Sequence, residues 1–331
     1  MKKQLLIAAV AATMTSVAMA DISITGSTKV NFTTVDFDSA TKESTNDFNH
    51  EVDLAITGKT GDTTVVIKLG NLEQSADSAS DGDTAGSLGV DIEDSYLSTK
   101  VGDVSIKAGS WDNGNNALRA SSRAADKFSA STTMNGVTAT YDAATTSGNV
   151  ADSVQVSAEM AGVSGSYKNV DGGEDITVST TVAGVKVSYL ALNRDTVNTD
   201  RAVVEVSGAF GGVNVKVAQA TADSDTRIEG DTWMGDFEDS LYTGSSAYAY
   251  DLTNGQDVTS FELSTAMAGN TVTFRNTDVD GVAGADMSFN KIILTRPLAN
   301  GTTFEATYTD LDDSAAANDS TTLDLELAVK F

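Results

Sequence analysis

The feature that most constrains this chain is a strict alternation of apolar and polar residues, clearest in its last segment, TTLDLELAVKF. The apolar positions are Leu323, Leu325, Leu327, Val329 and Phe331, and the charged positions between them are Asp324, Glu326 and Lys330. A repeat of two residues indicates a β-strand whose faces meet different environments. A continuous apolar face opposite a charged one is typical of a strand between lipid and water. The segment therefore favours an all-β transmembrane barrel.

Short turn signals divide the rest of the chain into pairs of similar strands. Most contain glycine, often next to asparagine, and they lie at residues 59–62, 101–103, 135–136, 161–162, 183–184, 211–212, 269–270 and 297–301. Gly and Asn adopt the positive φ angles that tight hairpins need. Longer polar segments alternate with these turns, at residues 71–87, 145–151, 171–173 and 310–320. Tight turns at one end and longer loops at the other are typical of an outer-membrane barrel. The strands joined by the eight turns, together with the first and the last strand, predict 18 strands.

The first residues differ from all later ones. Two lysines, an apolar stretch and the small residues Ala18-Met19-Ala20 predict a secretory signal peptide at residues 1–20. No later window has the ~20 apolar residues of a membrane-spanning helix. The sequence that follows has no helical periodicity of useful length and no break in composition that would mark a second domain. Residues 21–331 are therefore expected to form one antiparallel β-barrel domain.

Charge and composition exclude several classes of function. The formal net charge of −26 argues against a nucleic-acid partner. There is no cysteine, so thiol chemistry and disulfides are excluded. The single histidine, His50, falls on the apolar side of its strand, which suits neither a Ser-His-Asp site nor a histidine metal site. We expect no enzyme and no resident cofactor.

The final strand and its last residue, Phe331, resemble those of the general porins of Gram-negative outer membranes. In that family the barrel has 16 strands and is trimeric, and the terminal Phe is the assembly signal. The resemblance implies a water-filled channel in outer-membrane lipid for passive diffusion of small hydrophilic solutes and ions, formed by a homotrimer. On this basis we favour 16 strands, and we keep the 18 indicated by the turns as the alternative.

Basic residues share the polar side of several strands. Charges facing lipid cost about 2–4 kcal/mol each near the midplane, so these residues are expected to face inward. They are Lys29, Lys68, Lys107, Lys168, Lys186, Lys216 and Arg275. The functional hypothesis is a basic pore wall that sets ion selectivity; the alternative is that any polar residue would serve there. Acidic loops oppose this effect, so the sequence leaves the sign of selectivity open.

The third long loop follows the fifth strand, from Trp111 to Lys127. Its placement resembles the porin loop that folds into the barrel and narrows it, although the acidic Pro-Glu-Phe-Gly-Gly type motif of enteric porins is absent. The candidate constriction residues are Asp112, Arg119, Arg123 and Asp126, facing Lys29, Lys68 and Lys107. The alternative is a solvated surface loop.

Other loops support two alternative functions. Acidic clusters at residues 77–83 and 310–313 carry the oxygen ligands that Ca²⁺ prefers, without EF-hand spacing. They allow a secreted or surface-layer β-structural protein with calcium-binding loops. The long aromatic segment 222–257, with a candidate short helix at residues 233–241, allows a substrate-specific 18-stranded channel.

Overall fold

The computed structural model of this protein describes residues 21–38, 42–70, 91–112, 116–118, 123–146, 149–225, 255, 257–281, 286–314 and 319–331. The predicted signal peptide, the segment 71–87, Arg119 and the candidate helix at 233–241 lie outside these ranges. Among the described residues, no helix is long and apolar enough to cross a membrane.

The described residues form 18 strands, each antiparallel to its neighbours in the chain. They are β1 Asp21–Phe37, β2 Thr45–Thr60, β3 Thr63–Gly70, β4 Asp91–Val101, β5 Val104–Asp112, β6 Arg123–Met134, β7 Val137–Thr146, β8 Asn149–Met160, β9 Val163–Val170, β10 Gly173–Val182, β11 Val185–Arg194, β12 Arg201–Phe210, β13 Val213–Ala222, β14 Asp257–Met267, β15 Asn270–Asp280, β16 Met287–Pro297, β17 Thr302–Asp313 and β18 Ser320–Lys330. A short 3-10 turn, Ala299–Gly301, joins β16 to β17. Pairing of β1 with β18 closes the sheet into a barrel. The all-β barrel prediction is confirmed.

The strand number corrects the favoured prediction. Sixteen strands is wrong, and the alternative of 18 is confirmed, because all eight predicted turns join neighbouring strands. In the β6–β7 turn, Asn135 and Gly136 have φ angles of 53° and 80°, the left-handed geometry that this sequence predicts. The turn signals were therefore more informative about strand number than the family resemblance.

Three of the predicted longer loops lie between the expected strands but are shorter than predicted. Only residues 147–148 separate β7 from β8, only residues 171–172 separate β9 from β10, and residues 310–313 are the end of β17. Polar composition indicated water at these positions, and a strand that borders water is equally polar. Polarity alone therefore could not distinguish a strand end from a loop.

We call the end of the barrel with the eight tight turns the turn end, and the other end the loop end.

The two faces of the barrel wall have opposite character. Large apolar side chains on one parity are exposed, such as Leu323 at 41% and Leu327 at 49%. Residues at the alternate positions, which point to the opposite face, form a single cluster with Leu118 on seven consecutive strands, β11 to β17. Only the concave face of a closed sheet can bring seven strands together in this way. The polar parity therefore faces the lumen, and the apolar parity faces outward.

The last residue completes the closure of the barrel. The Phe331 amide donates to the Gly26 carbonyl at 3.0 Å, and the Gly26 amide donates to the Phe331 carbonyl at 2.9 Å. The Phe331 side chain lies on the outer face and is 63% exposed. A Cβ on Gly26 would lie 2.6 Å from the Phe331 Cζ atom, so only glycine leaves room for the ring there.

Candidate pore lining and constriction

Ion pairs line much of the inner wall, mostly between adjacent strands. The nitrogen–oxygen distances are 2.7 Å for Lys29–Glu51, Lys68–Asp94, Arg194–Asp175 and Arg275–Glu262, 3.9 Å for Lys216–Glu205 and 4.0 Å for Lys168–Asp142. Five of the seven predicted wall cations are in this set, all on the inner face. Each has an acidic partner, which the sequence analysis did not identify. The wall is therefore a set of fixed, alternating charges rather than a uniform basic patch.

Two further lysines stack on aromatic rings. Tyr96 and Trp111 form an edge-to-face pair with ring centroids 6.2 Å apart. The Lys107 Nζ atom lies 3.8 Å from the Tyr96 centroid and 4.3 Å from that of Trp111. The Lys127 Nζ atom lies 4.5 Å from the Trp111 centroid and donates to the Trp111 carbonyl at 2.9 Å. Cation–π attraction holds both ammonium groups against the wall.

A backbone irregularity in β5 places Trp111 in this group. The register between β5 and β6 shifts between Gly109 and Trp111, which marks a β-bulge. Gly109 has a φ of 133°, and a Cβ there would clash with the Ser95 carbonyl and the Tyr96 backbone. Glycine thus permits the close approach of β4 and β5 on which the aromatic pair depends.

Carboxylates concentrate on another part of the wall, from β17 through β18 and β1 to β2. Glu305 and Glu326 are directly opposite each other in the register of β17 and β18. The Thr295 hydroxyl donates to Glu305 at 2.8 Å, and the Ser27 hydroxyl donates to Asp53 at 3.3 Å. The ring order places β9, which carries Lys168, almost opposite β1. Opposed charges across a water-filled lumen produce a transverse field that orients dipolar solutes.

Residues 116–118 of the third loop lie against the inner wall formed by β11 and β12. Leu118 has no exposed surface and belongs to the apolar cluster with Leu192 and Val203. Its carbonyl accepts a hydrogen bond from Arg201 Nη1 at 2.9 Å, and its amide donates to Asn116 Oδ1 at 2.9 Å. The loop starts from β5 and ends at β6, whereas these partners lie on β11 and β12. The predicted inward folding of the third loop is thus confirmed for residues 116–118.

The structure changes the candidate constriction. Asp112 and Arg123 are partners in the register of β5 and β6 rather than loop residues, and Asp126 is an exposed residue of β6 with a φ of 56°. The side chains of Arg119 and Arg123 lie outside the described residues. Lys29 and Lys68 belong to separate ion pairs, and Lys107 to the aromatic group. The seven residues do not form one described cluster, and their role in a constriction stays a prediction.

The residues that hold the third loop, and those that form the stack of lysines on aromatic rings, were not predicted from the sequence. These are Leu118, Arg201, Tyr96, Trp111 and Lys127. Leu118 had a recognisable signal, since it is a large apolar residue in an otherwise polar loop. A second signal was present at the loop end of β13 to β17, where the strand positions that face the lumen are apolar instead of polar. Ala218, Ala220, Val258, Val279 and Phe289 show this pattern.

The acidic cluster at residues 310–313 does not form a metal site in the part of the chain that the structure describes. Among the described residues, no group of three or more His, Asp or Glu residues is placed to hold a metal ion. In β17, Asp310 and Asp312 lie on the outer face and Asp313 lies on the inner face, so the three carboxylates do not converge on one point. The cluster at residues 77–83 lies outside the described residues. Calcium at that loop stays a prediction.

The fold matches those of known outer-membrane porins. No protein-family model matches the chain, and no curated protein matches it in sequence. Acinetobacter baumannii OccAB4 superposes with a TM-score of 0.66 at 10% identity over 94% of this chain and 98% of that one. Pseudomonas aeruginosa OccK8 (OprE) gives 0.62 at 10% identity, and a BenF-like porin from Pseudomonas fluorescens Pf-5 gives 0.64 at 11%, with the same coverage. The chain has the fold of these porins.

Proposed function

We propose that the protein is an outer-membrane porin, a passive water-filled channel for small hydrophilic solutes and ions, narrowed by its third loop. The observation that carries this proposal is the reversal of polarity across a closed 18-stranded wall. Apolar side chains such as Leu327 are exposed on the outside, while ion pairs such as Arg275–Glu262 lie on the inside. Such a wall is stable only with lipid outside and water inside.

The inner wall favours a selective channel over a general one, which is the 18-stranded alternative raised above. Residues 116–118 lie inside the barrel, so a solute must pass beside them. The carboxylates around Glu326 and the lysines stacked on Trp111 lie on different parts of the wall. A solute carrying both charges would be aligned by this arrangement, whereas a neutral sugar would not.

Planar-bilayer recording across a salt gradient tests the channel. Purified, folded protein should give stepwise conductance, and the sign of the reversal potential shows whether carboxylates or lysines control selectivity. Competition with zwitterionic and neutral solutes of equal size then tests selectivity. Absence of conductance from inserted protein would reject an open channel. Failure to insert would favour the secreted structural protein with calcium-binding loops, which predicts that a chelator lowers thermal stability.

The homotrimer rested on the resemblance to 16-stranded porins, so the strand number removes its main support. Light scattering of the detergent-solubilised protein measures its oligomeric state. A mass of one chain, about 34.2 kDa for the full sequence before subtraction of any cleaved segment, would reject the trimer.

Phe331 is proposed as the assembly signal, because it pairs with β1 at the seam of the barrel. Phe331→Ala should reduce the amount of folded barrel in the outer membrane, measured by heat-dependent gel migration. Leu327→Ala, on the same face of β18, is the matched control. An equal yield from both variants would contradict a specific role for Phe331.

A further inference from the structure

We propose that Leu118 and Arg201 form a latch that pins the third loop to the inner wall of β11 and β12 and so sets the size of the open pore. The role assigned to pore size rests on the channel function proposed above, whereas the latch itself is a statement about structure. Neither residue belongs to the predicted constriction.

The first half of the latch is an apolar seat on an inner wall that elsewhere is mostly polar. The cluster around Leu118 includes Leu192, Val203 and Ala218, all on the lumen-facing parity and at most 4% exposed. Apolar side chains facing open water would lose the stabilisation that burial provides. The leucine covers these residues, and they cover it. Detaching the loop would expose both surfaces together.

The second half is polar and joins the wall to the loop backbone. Arg201 lies directly opposite Leu192 in the register of β11 and β12, at the edge of the seat. Its guanidinium donates to the Leu118 carbonyl, while Asn116 accepts the Leu118 amide proton. Both backbone polar groups of Leu118 therefore have hydrogen-bond partners, as removal from water requires. A charged donor makes this hydrogen bond stronger than a neutral one would.

The position of the latch makes it a control point. The loop is held covalently at β5 and β6, and non-covalently at Leu118 on the inner wall of β11 and β12. Contact at this third point restricts the positions that the loop can adopt. Released at the third point, it becomes a tethered loop that samples the lumen. The open pore should then become wider on average and fluctuate between conductance levels.

Thiol labelling tests the latch without any reference to conductance. The chain has no cysteine, so Leu118→Cys introduces one thiol. In refolded barrels, a water-soluble methanethiosulfonate reagent should label this cysteine slowly. Adding Arg201→Ala should raise the rate by about tenfold, the effect of losing one hydrogen bond to a charged group. Asp62→Cys, in an exposed tight turn, gives the unhindered rate.

Arg194→Ala is the matched control for Arg201→Ala. Arg194 also lies on the inner wall near Leu192, but it bonds to Asp175 and the β10 backbone instead of the loop. It should leave labelling of Leu118→Cys unchanged. Arg201→Lys keeps the charge, so its labelling rate should lie between the rate with Arg201 intact and the rate in the Arg201→Ala variant. Equal labelling in the Arg201→Ala and Arg194→Ala backgrounds would overturn the latch.

Single-channel recording then tests its consequence. Leu118→Asp and Arg201→Ala should each give larger and noisier open-state conductance than Arg194→Ala. Conductance that stays at the wild-type level in both variants, with labelling increased, would overturn control of pore size by the latch. If labelling increases but even the wild-type protein does not conduct, the latch stands and the channel proposal fails. Heat-dependent gel migration confirms that each variant is folded before either measurement.

Discussion

The two sides of the lumen wall follow opposite rules. From β3 to β9 the inner face carries many charged side chains, and those of Lys68 and Lys168 are 48% and 28% exposed to the lumen. At the loop end of β11 to β17 the inner face is mostly apolar, and Val258 and Val279 are each 1% exposed. The difference shows that the wall is polar where water reaches it and apolar where protein covers it. The covered side is in effect a small hydrophobic core inside a barrel.

The largest expected difference between the sides is in stability. Phe289→Ala removes a ring that is 4% exposed in the covered cluster, and should lower the free energy of unfolding by about 3–5 kcal/mol. Phe128→Ala, on the outer face of β6 and 40% exposed, should cost less, because lipid fills the space that the ring leaves and no cavity remains. Urea unfolding of the barrel in liposomes measures both. Equal losses would show that Phe289 is not packed in a core.

On the charged side, substitution of Gly109 should cause the largest loss of stability. Gly109→Ala places a Cβ against the β4 backbone at a φ of 133°, which should cost about 1–3 kcal/mol and separate Tyr96 from Trp111. The near-ultraviolet circular dichroism of Trp111, recorded in a Trp233→Phe background, should weaken. Gly165→Ala is the control, because the nearest atom to its Cβ would be 3.8 Å away. If both spectra stay unchanged, the aromatic pair does not depend on the bulge.

Ion pairs near the two sides should differ in strength. Arg275 donates to Glu262 from Nε at 2.9 Å and Nη2 at 2.7 Å, and the two side chains are 16% and 20% exposed. Arg275→Gln should cost about 1–3 kcal/mol, because it leaves a half-buried carboxylate without this partner. Lys168→Gln breaks the 4.0 Å pair on the open side and should cost about 0–1 kcal/mol.

The same unfolding measurement checks this pair of variants. Adding Glu262→Gln to Arg275→Gln should recover part of the lost stability, since it removes the isolated charge. A larger loss from Lys168→Gln than from Arg275→Gln would reverse the proposed contrast between the two sides.

The smallest expected effect is on selectivity. Replacing Lys107 and Lys127 together with Gln removes two positive charges from the open wall, each worth about 1 kcal/mol to an anion at 4 Å in water. The reversal potential in a salt gradient should shift towards cations. Arg296→Gln, on the outer face of β16, should leave it unchanged. An equal shift in both variants would mean that long-range charge, rather than the wall, sets selectivity.

Much of the fold could be predicted because its signals are local. Alternation placed Leu323 and Leu327 on the lipid side, and Asn135-Gly136 marked a tight turn. The inner parity of Lys216 and Arg275 followed from the cost of charges in lipid. Their partners Glu205 and Glu262 were not identified, because strand register depends on pairing with a neighbouring strand. Strand number was indicated correctly by the turns, and the resemblance to a 16-stranded family misdirected it.

By itself the sequence determined the all-β class, the turn positions and the face on which each strand residue lies. These properties follow from a two-residue repeat and from the backbone preferences of Gly and Asn. Only the tertiary structure decided that Leu118 reaches a seat beside Arg201, and that Lys107 rests on Tyr96 and Trp111. Such contacts depend on which strands face each other around a closed ring. Alternation specifies the side of a wall, but not what lies across the lumen from it.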